Sequence, residues 1–301
     1  MAKRLFALLS LVGLVVLAGC IGGIGQVTDV FVPGAATGLV IKEFGPDLPE
    51  VFSGDSVTFS LLVENIGEID ATSVTAKLMG LGTDWSGIPT TANAIASGGS
   101  IPKAQPSMGV PGGQDSTTWT VTSPSDLKVD KDYTAKVRLS YSYGTSAVGS
   151  IKVYDSDYLA TLTQDEARAI SRSSGLESWT VTNSPVTIEL AGATRPFIVQ
   201  DSDLSATVSF LVSNRGQGYP YTGTDQAVRG ITITSAKVGT TTCISNKTDT
   251  LPRTGKKGFT CSFTISPGDV ADFTTIPITV ELVYNYYIDS SATVKVLQTL
   301  S

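Results

Sequence analysis

The chain has 301 residues and carries 27 acidic against 21 basic side chains, a net charge of −6. It contains no histidine, which removes the usual general base and the commonest transition-metal ligand, and no Arg-rich helix or basic patch that would suit nucleic acid. The length suggests about two domains, and the wealth of Thr, Ser, Val and Gly with few Ala/Leu/Glu/Lys runs favours strands over helices.

The start of the chain has three parts. Lys3 and Arg4 are followed by an apolar run from Leu5 to Leu17 and the small residues Ala18-Gly19, the pattern of an export signal. The next residue is Cys20, and Leu17-Ala18-Gly19-Cys20 resembles a lipobox, in which the cysteine is lipidated and becomes the new N-terminus. The resemblance implies a signal peptide over residues 1–20 and a membrane partner held through Cys20. Two acyl chains on that residue would be needed for stable anchoring. An uncleaved anchor stays open, because the uncharged run through Ile24 approaches the ~20 residues that span a bilayer. Either way the rest of the chain lies on the extracellular face of the membrane. Residues 21–36, rich in Gly, Pro and Ala, read as a flexible spacer.

Beyond residue 36 the chain repeats itself. "VTFSLLVENIG" (57–67) is echoed by "ATVSFLVSNRG" (206–216), and "VRLSYSYGTSAVGSIKV" (137–153) aligns without a gap to "VELVYNYYIDSSATVKV" (280–296). Apolar residues alternate with polar ones in each, the mark of strands with one face in a core. Short alternating segments divided by Gly, Asp, Asn and Ser predict antiparallel β-sandwiches. The expected fold is therefore all-β, with one sandwich over 37–156 and a second over 178–301. A short helical connector over 157–177 joins them, where Thr163 and Glu166 fit a capping box.

The segments "VENIG" (63–67) and "VSNRG" (212–216), each followed by a strand containing Ala-Lys, resemble the CARDB-type and S-layer-associated immunoglobulin-like domains of archaeal and bacterial surface proteins. That resemblance implies extracellular immunoglobulin-like modules for adhesion or assembly, without catalytic residues. The "GCIGG" start is similar to that of archaeal lipoproteins. Within these turns Asn65 and Asn214 are expected to bond their own neighbours, and Gly67 and Gly216 to supply positive φ.

Cys243 and Cys261 flank a polar, turn-rich segment and, in an exported chain, read as a structural disulfide. Asn246-Lys247-Thr248 lies between them and fits an N-glycosylation acceptor. Two loops stand out as recognition candidates. One is long and Gly/Pro-rich (80–116) and carries Trp85. The other (215–230) exceeds its counterpart in the first copy and presents Tyr219, Tyr221 and Asp225. Exposed tyrosines suit recognition of proteins or glycans. Trp119, Trp179 and the tyrosine pairs 141/143 and 284/286 occupy packing positions.

Asp155 with Asp157, and Asp201 with Asp203, lack the compact third ligand of a calcium loop, so no metal or other cofactor is expected. No nucleophile elbow, P-loop or zinc motif occurs, so no enzyme is expected. The function that follows is a lipid-anchored surface protein displaying its domains to an envelope protein or a glycan. A self-assembling envelope subunit and an accessory sugar-binding module remain as alternatives.

Overall fold

The computed structural model describes residues 37–298 apart from 96–98, 194 and 253–254. Cys20, the signal 1–20 and the spacer 21–36 lie outside the described residues. In the first half the strands are β1 (Leu39–Pro46), β2 (Glu50–Phe52), β3 (Ser56–Asn65), β4 (Ala71–Met79), β5 (Asn93–Ala94), β6 (Ser100–Ile101), β7 (Gln114–Thr122) and β8 (Lys131–Asp155). Helices α1 (Ser156–Thr161) and α2 (Gln164–Arg172) follow. The second half holds β9 (Leu176–Val181), β10 (Val186–Ala191), β11 (Phe197–Val199), β12 (Leu204–Asn214), β13 (Tyr219–Tyr221), β14 (Ile231–Val238), β15 (Thr241–Asp249), β16 (Lys256–Ile265) and β17 (Phe273–Leu297).

The all-β reading holds. Val57, Phe59, Leu61 and Val63 of β3 are fully buried while Ser56 and Ser60 are exposed, so period-two sequence becomes a two-faced strand. The strands form two small antiparallel sheets, β1-β3-β7 and β10-β12-β16, and one large sheet with the path β15-β14-β17-β8-β4-β5. Each small sheet belongs to one copy of the repeat; the large one belongs to both.

Here the structure differs from the expectation of two separately closed sandwiches. Strands β8 and β17 run 25 residues each and pair antiparallel from Phe273–Tyr154 to Val296–Lys131. The buried side chains of both halves accordingly join in a single core cluster, and the described residues belong to one compact unit. The physical reason is strand length: both final strands keep their alternation far beyond the width of one sandwich, so each reaches across to cover the other half.

The pairing has an internal two-fold relation. The aligned segments are offset by 143 (280 minus 137), and the register places Ser142 opposite its own counterpart, Asn285. Their side chains meet, Ser142 Oγ to Asn285 Oδ1 2.7 Å. On the core side of this point Tyr141, Tyr143, Tyr284 and Tyr286 are all buried. They make a ring of contacts with centroids 5.7 to 6.5 Å apart. Burial raises the pKa of every one of them, Tyr284 to about 12, so these phenols stay neutral and serve packing.

The repeated Asn-x-Gly turns connect to these tyrosines. Asn65 Oδ1 accepts from Gly67 N (3.1 Å) and from the Tyr143 hydroxyl (3.4 Å), while Nδ2 donates to Ile69 O (2.9 Å) and Ile101 O (3.0 Å). Asn214 Oδ1 accepts from Gly216 N (3.2 Å) and from Tyr286 (2.9 Å), and its Nδ2 donates to Gly218 O (2.8 Å). Gly67 and Gly216 do not carry positive φ, contrary to expectation. They are needed because a Cβ there would collide with the hydroxyl of Tyr143 or of Tyr286.

The helical connector is present, and Thr163 and Glu166 form the expected capping box at the start of α2. Asp155 caps α1, its Oδ1 accepting from Asp157 N (2.8 Å) and Tyr158 N (3.1 Å), which gives this acidic pair a local structural role. Neither helix contains a buried residue.

Candidate functional site

The core face of the shared sheet is filled, so the site to consider is its opposite face, around Ser142 and Asn285. The 215–230 insertion of the second copy folds onto one half of it. Strand β13 pairs antiparallel with β17, Tyr219 opposite Tyr287 and Tyr221 opposite Asn285. The turn that follows is held by side chains from the first copy. Arg138 makes two hydrogen bonds of 2.7 Å to Asp289, which hold its guanidinium above its ordinary pKa. It also donates to Gln226 Oε1 (2.9 Å), whose Nε2 donates to Ser140 Oγ (3.0 Å). Asn285 Nδ2 donates to Gly223 O (2.9 Å). Asp225 is exposed and closes its own turn by accepting from Ala227 N (2.8 Å).

The rings of this loop are occupied by one another. Tyr219 and Tyr221 lie 5.3 and 6.0 Å from Tyr287. Arg138 sits 4.0 Å over the Tyr287 ring and Arg229 4.6 Å over Tyr219. Tyr221 is 8% exposed and Tyr219 half-buried. The guanidinium contacts follow ordinary cation–π chemistry, and they cover faces that a sugar would need for stacking.

Beside the loop is a cleft of about 470 Å³, with Ser142, Asn285, Thr72 and Thr232 on its polar sides, Val283 as its apolar patch and Tyr221 in its wall. Asp70 also lines it; its Oδ1 accepts from Lys103 N (2.9 Å). The lining is small, mostly neutral and rich in hydroxyls, able to hydrogen-bond but holding no paired acid and base. Among the described residues no cluster of three or more His, Cys, Asp or Glu could hold a metal ion.

The other sequence candidates fall elsewhere. Trp85 is 5% exposed, edge-on to Tyr133 at 5.4 Å, and Tyr133 donates to Asp84 Oδ2 (2.6 Å). That residue packs the core instead of meeting solvent, because the chain around Ser86 bridges to Thr122 at the end of β7. The 80–116 segment contributes β5 and β6, which pair with β4. Trp119 is buried, and Trp179 stacks on Phe210 at 6.3 Å with Nε1 donating to Ile188 O (3.1 Å).

Cys243 and Cys261 are bonded, with Cα atoms 5.1 Å apart. They lie in β15 and β16, which belong to different sheets, so the bond ties the large sheet to the small one across the core. Asn246 is exposed in β15 with φ 47°, on a strand rather than in the loop that the sequence suggested. Arg138, Gln226, Asp289 and Tyr287 were not evident from sequence. The available signal was asymmetry: the repeat counterparts of Arg138 and Tyr287 are Glu281 and Gly144.

No family model matches the chain, and no curated protein does. Among solved structures it is similar to a collagen adhesin from S. aureus, at 9% identity over 86% of this chain and 92% of that one, TM-score 0.13. A partial N-terminal region of an enterococcal surface protein is similar at 10% identity over 89% and 97%, TM-score 0.13. Superpositions this loose carry no argument about fold or function.

Proposed function

We propose that this chain is a non-enzymatic protein, lipid-anchored on the extracellular face of the cell membrane, that displays two immunoglobulin-like halves for adhesion or interaction at the cell envelope. The observation that carries this reading is the inter-sheet disulfide, since such bonds persist in oxidising compartments outside the cytoplasm. The Leu17-Ala18-Gly19-Cys20 sequence supplies the anchor, and the CARDB-like turns supply the domain type. The rigid shared sheet then acts as a platform, and the cleft beside Tyr221 is its recognition surface.

Mass spectrometry of the native N-terminus tests the anchor. The expected product begins at Cys20 with a diacylglyceryl-type addition, and Cys20→Ser moves the protein from the membrane to the soluble fraction. An intact Met1 or an unmodified Cys20 rejects the lipoprotein reading. Envelope assembly is the second reading, favoured by β16, which among the described residues pairs with no strand on its outer edge, since open edges invite strand addition; ordered polymers in negative stain would favour it. The sugar-binding reading has less support, because the rings of Tyr219 and Tyr221 are already engaged.

A further inference from the structure

The 215–230 insertion covers the outer face of the shared sheet over one half only. Over the other half, the outer face of β15, β14, β17, β8 and β9 is bare among the described residues. It presents Val148 (53% exposed) and Val283 (48%), the latter at the border of the cleft, together with exposed Glu281, Lys237 and Thr180. Val148 lies between Thr279 of β17 and Thr180 of β9, inside the face and not at its rim.

The repeat shows that this face has lost charge. By the offset of 143, Thr275 and Thr279 stand where the first half has Asp132 and Lys136, and Ser146 stands where it has Asp289. The hydroxyls of the face are bonded within the sheet: Ser150 Oγ to Ser178 Oγ at 3.0 Å, Thr232 Oγ1 to Thr248 Oγ1 at 2.9 Å, and Thr234 Oγ1 donating to Glu281 O at 3.1 Å. Polar groups that already have partners cost little to bury, so this face can lose its water without new bonds. Two charges stand within it. Glu281 lies opposite Ser235, and Lys237 opposite Thr279, on neighbouring strands. Among the described residues neither has an ion-pair partner. Lys152 and Glu177 lie at the rim, where Glu177 accepts from Thr275 Oγ1 (3.0 Å).

We infer that this face is an interface between two copies of the chain, packed sheet to sheet about a two-fold axis. A two-fold interface must be complementary to itself. A face with one unpaired acid and one unpaired base meets that condition, because Glu281 of each copy can pair with Lys237 of the other. The area also fits. Strands of these lengths, about 4.8 Å apart and rising about 3.3 Å per residue, present roughly 700 Å², close to the ~800 Å² that each partner brings to a stable interface. Such pairing closes on itself as a dimer, unlike strand addition along an open edge. This goes beyond the proposed function by naming a partner, and it holds whether or not Cys20 is acylated or the cleft is a recognition surface.

The test is sedimentation velocity on the full chain in nonionic detergent at up to about 100 μM, above the μM range in which interfaces of this size bind at their weakest. The expected native species is a dimer. Val148→Glu puts a lone charge in the contact and should raise the dissociation constant at least about tenfold. Glu281→Lys and Lys237→Glu each leave two like charges on the face, so each alone should weaken the dimer by at least about tenfold. Mixed one to one, these two variants should form a heterodimer, since both cross-pairs then join opposite charges; recovery on mixing also shows that both variants fold. A native chain that stays monomeric at the highest concentration overturns the inference. So does a dimer that Val148→Glu leaves intact, or a charge-swapped mixture that associates no more tightly than either variant alone.

Discussion

Replacing Asn65 by Ala tests the turn-to-tyrosine connection most sharply. Asn65 is fully buried, and its side chain makes four hydrogen bonds, to Gly67 N, Ile69 O, Ile101 O and the Tyr143 hydroxyl. Truncation removes all four bonds in a buried region, and the Tyr143 hydroxyl keeps only the one it accepts from Ile69 N (3.3 Å). An unsatisfied buried group costs about 1–3 kcal/mol, and partial relaxation of the two carbonyls and the rotatable hydroxyl puts the expected loss at about 3–5 kcal/mol. Asn214→Ala removes three such bonds at a half-buried position, so a smaller loss of about 2 kcal/mol is expected there. Equilibrium urea unfolding, followed by tryptophan fluorescence, reads both as a shift in midpoint at constant slope. A loss below about 1 kcal/mol for Asn65→Ala, or a larger loss for Asn214→Ala, would refute the reasoning.

Three further outcomes are expected. Replacing Cys243 and Cys261 by Ser opens a loop of sequence separation 18 and should lower stability by about 3 kcal/mol in the loop-entropy account, read by the same urea titration with and without reductant. Glu189 lies between Arg215 and Lys256, and its hydrogen bond with Lys256 holds its carboxyl below the ordinary value of 4.5. Because the folded pKa is depressed, its contribution is present above that value and lost as pH falls below it. The group is partly exposed, so Glu189→Gln should cost no more than about 1 kcal/mol at pH 7, and the difference should vanish as pH falls through the lowered carboxyl pKa, seen in thermal melts from neutral to acid. Arg138→Ala removes the pair with Asp289, the bond to Gln226 and the stack on Tyr287 together. Limited proteolysis should then cut within 222–229 several-fold faster, with the far side of the sheet unaffected.

Much of the architecture was legible in the chain because period-two alternation and the repeat are strong local signals. Val57 to Val63 and Tyr141 to Ile151 announce which face is buried. The Thr163–Glu166 cap announces the helix, and Cys243 with Cys261 announces the tie. The joining of the halves was not legible. Alternation in β8 and β17 says that each is a long strand, but pairing register depends on which long strand finds which. The same limit explains Trp85: a tryptophan in a Gly/Pro-rich loop looks exposed until Tyr133 and the end of β7 are brought beside it. The ring that Tyr219 and Tyr221 pack against, Tyr287, is 68 positions from Tyr219 in the sequence, and no local pattern points to it. Gly67 and Gly216 show the subtler case, where glycine is demanded by a distant hydroxyl and not by its own backbone.

The central structural claim is that the two copies share one sheet, with Ser142 facing Asn285. The direct measurement is a Ser142→Cys/Asn285→Cys chain, oxidised and mapped by peptide mass spectrometry. Directly opposed strand residues lie within the Cα spacing a disulfide accepts, so a crosslink within one chain, at low protein concentration and without loss of the Cys243–Cys261 pair, is the predicted result. Free thiols at both positions, or crosslinks formed only between chains, would contradict it.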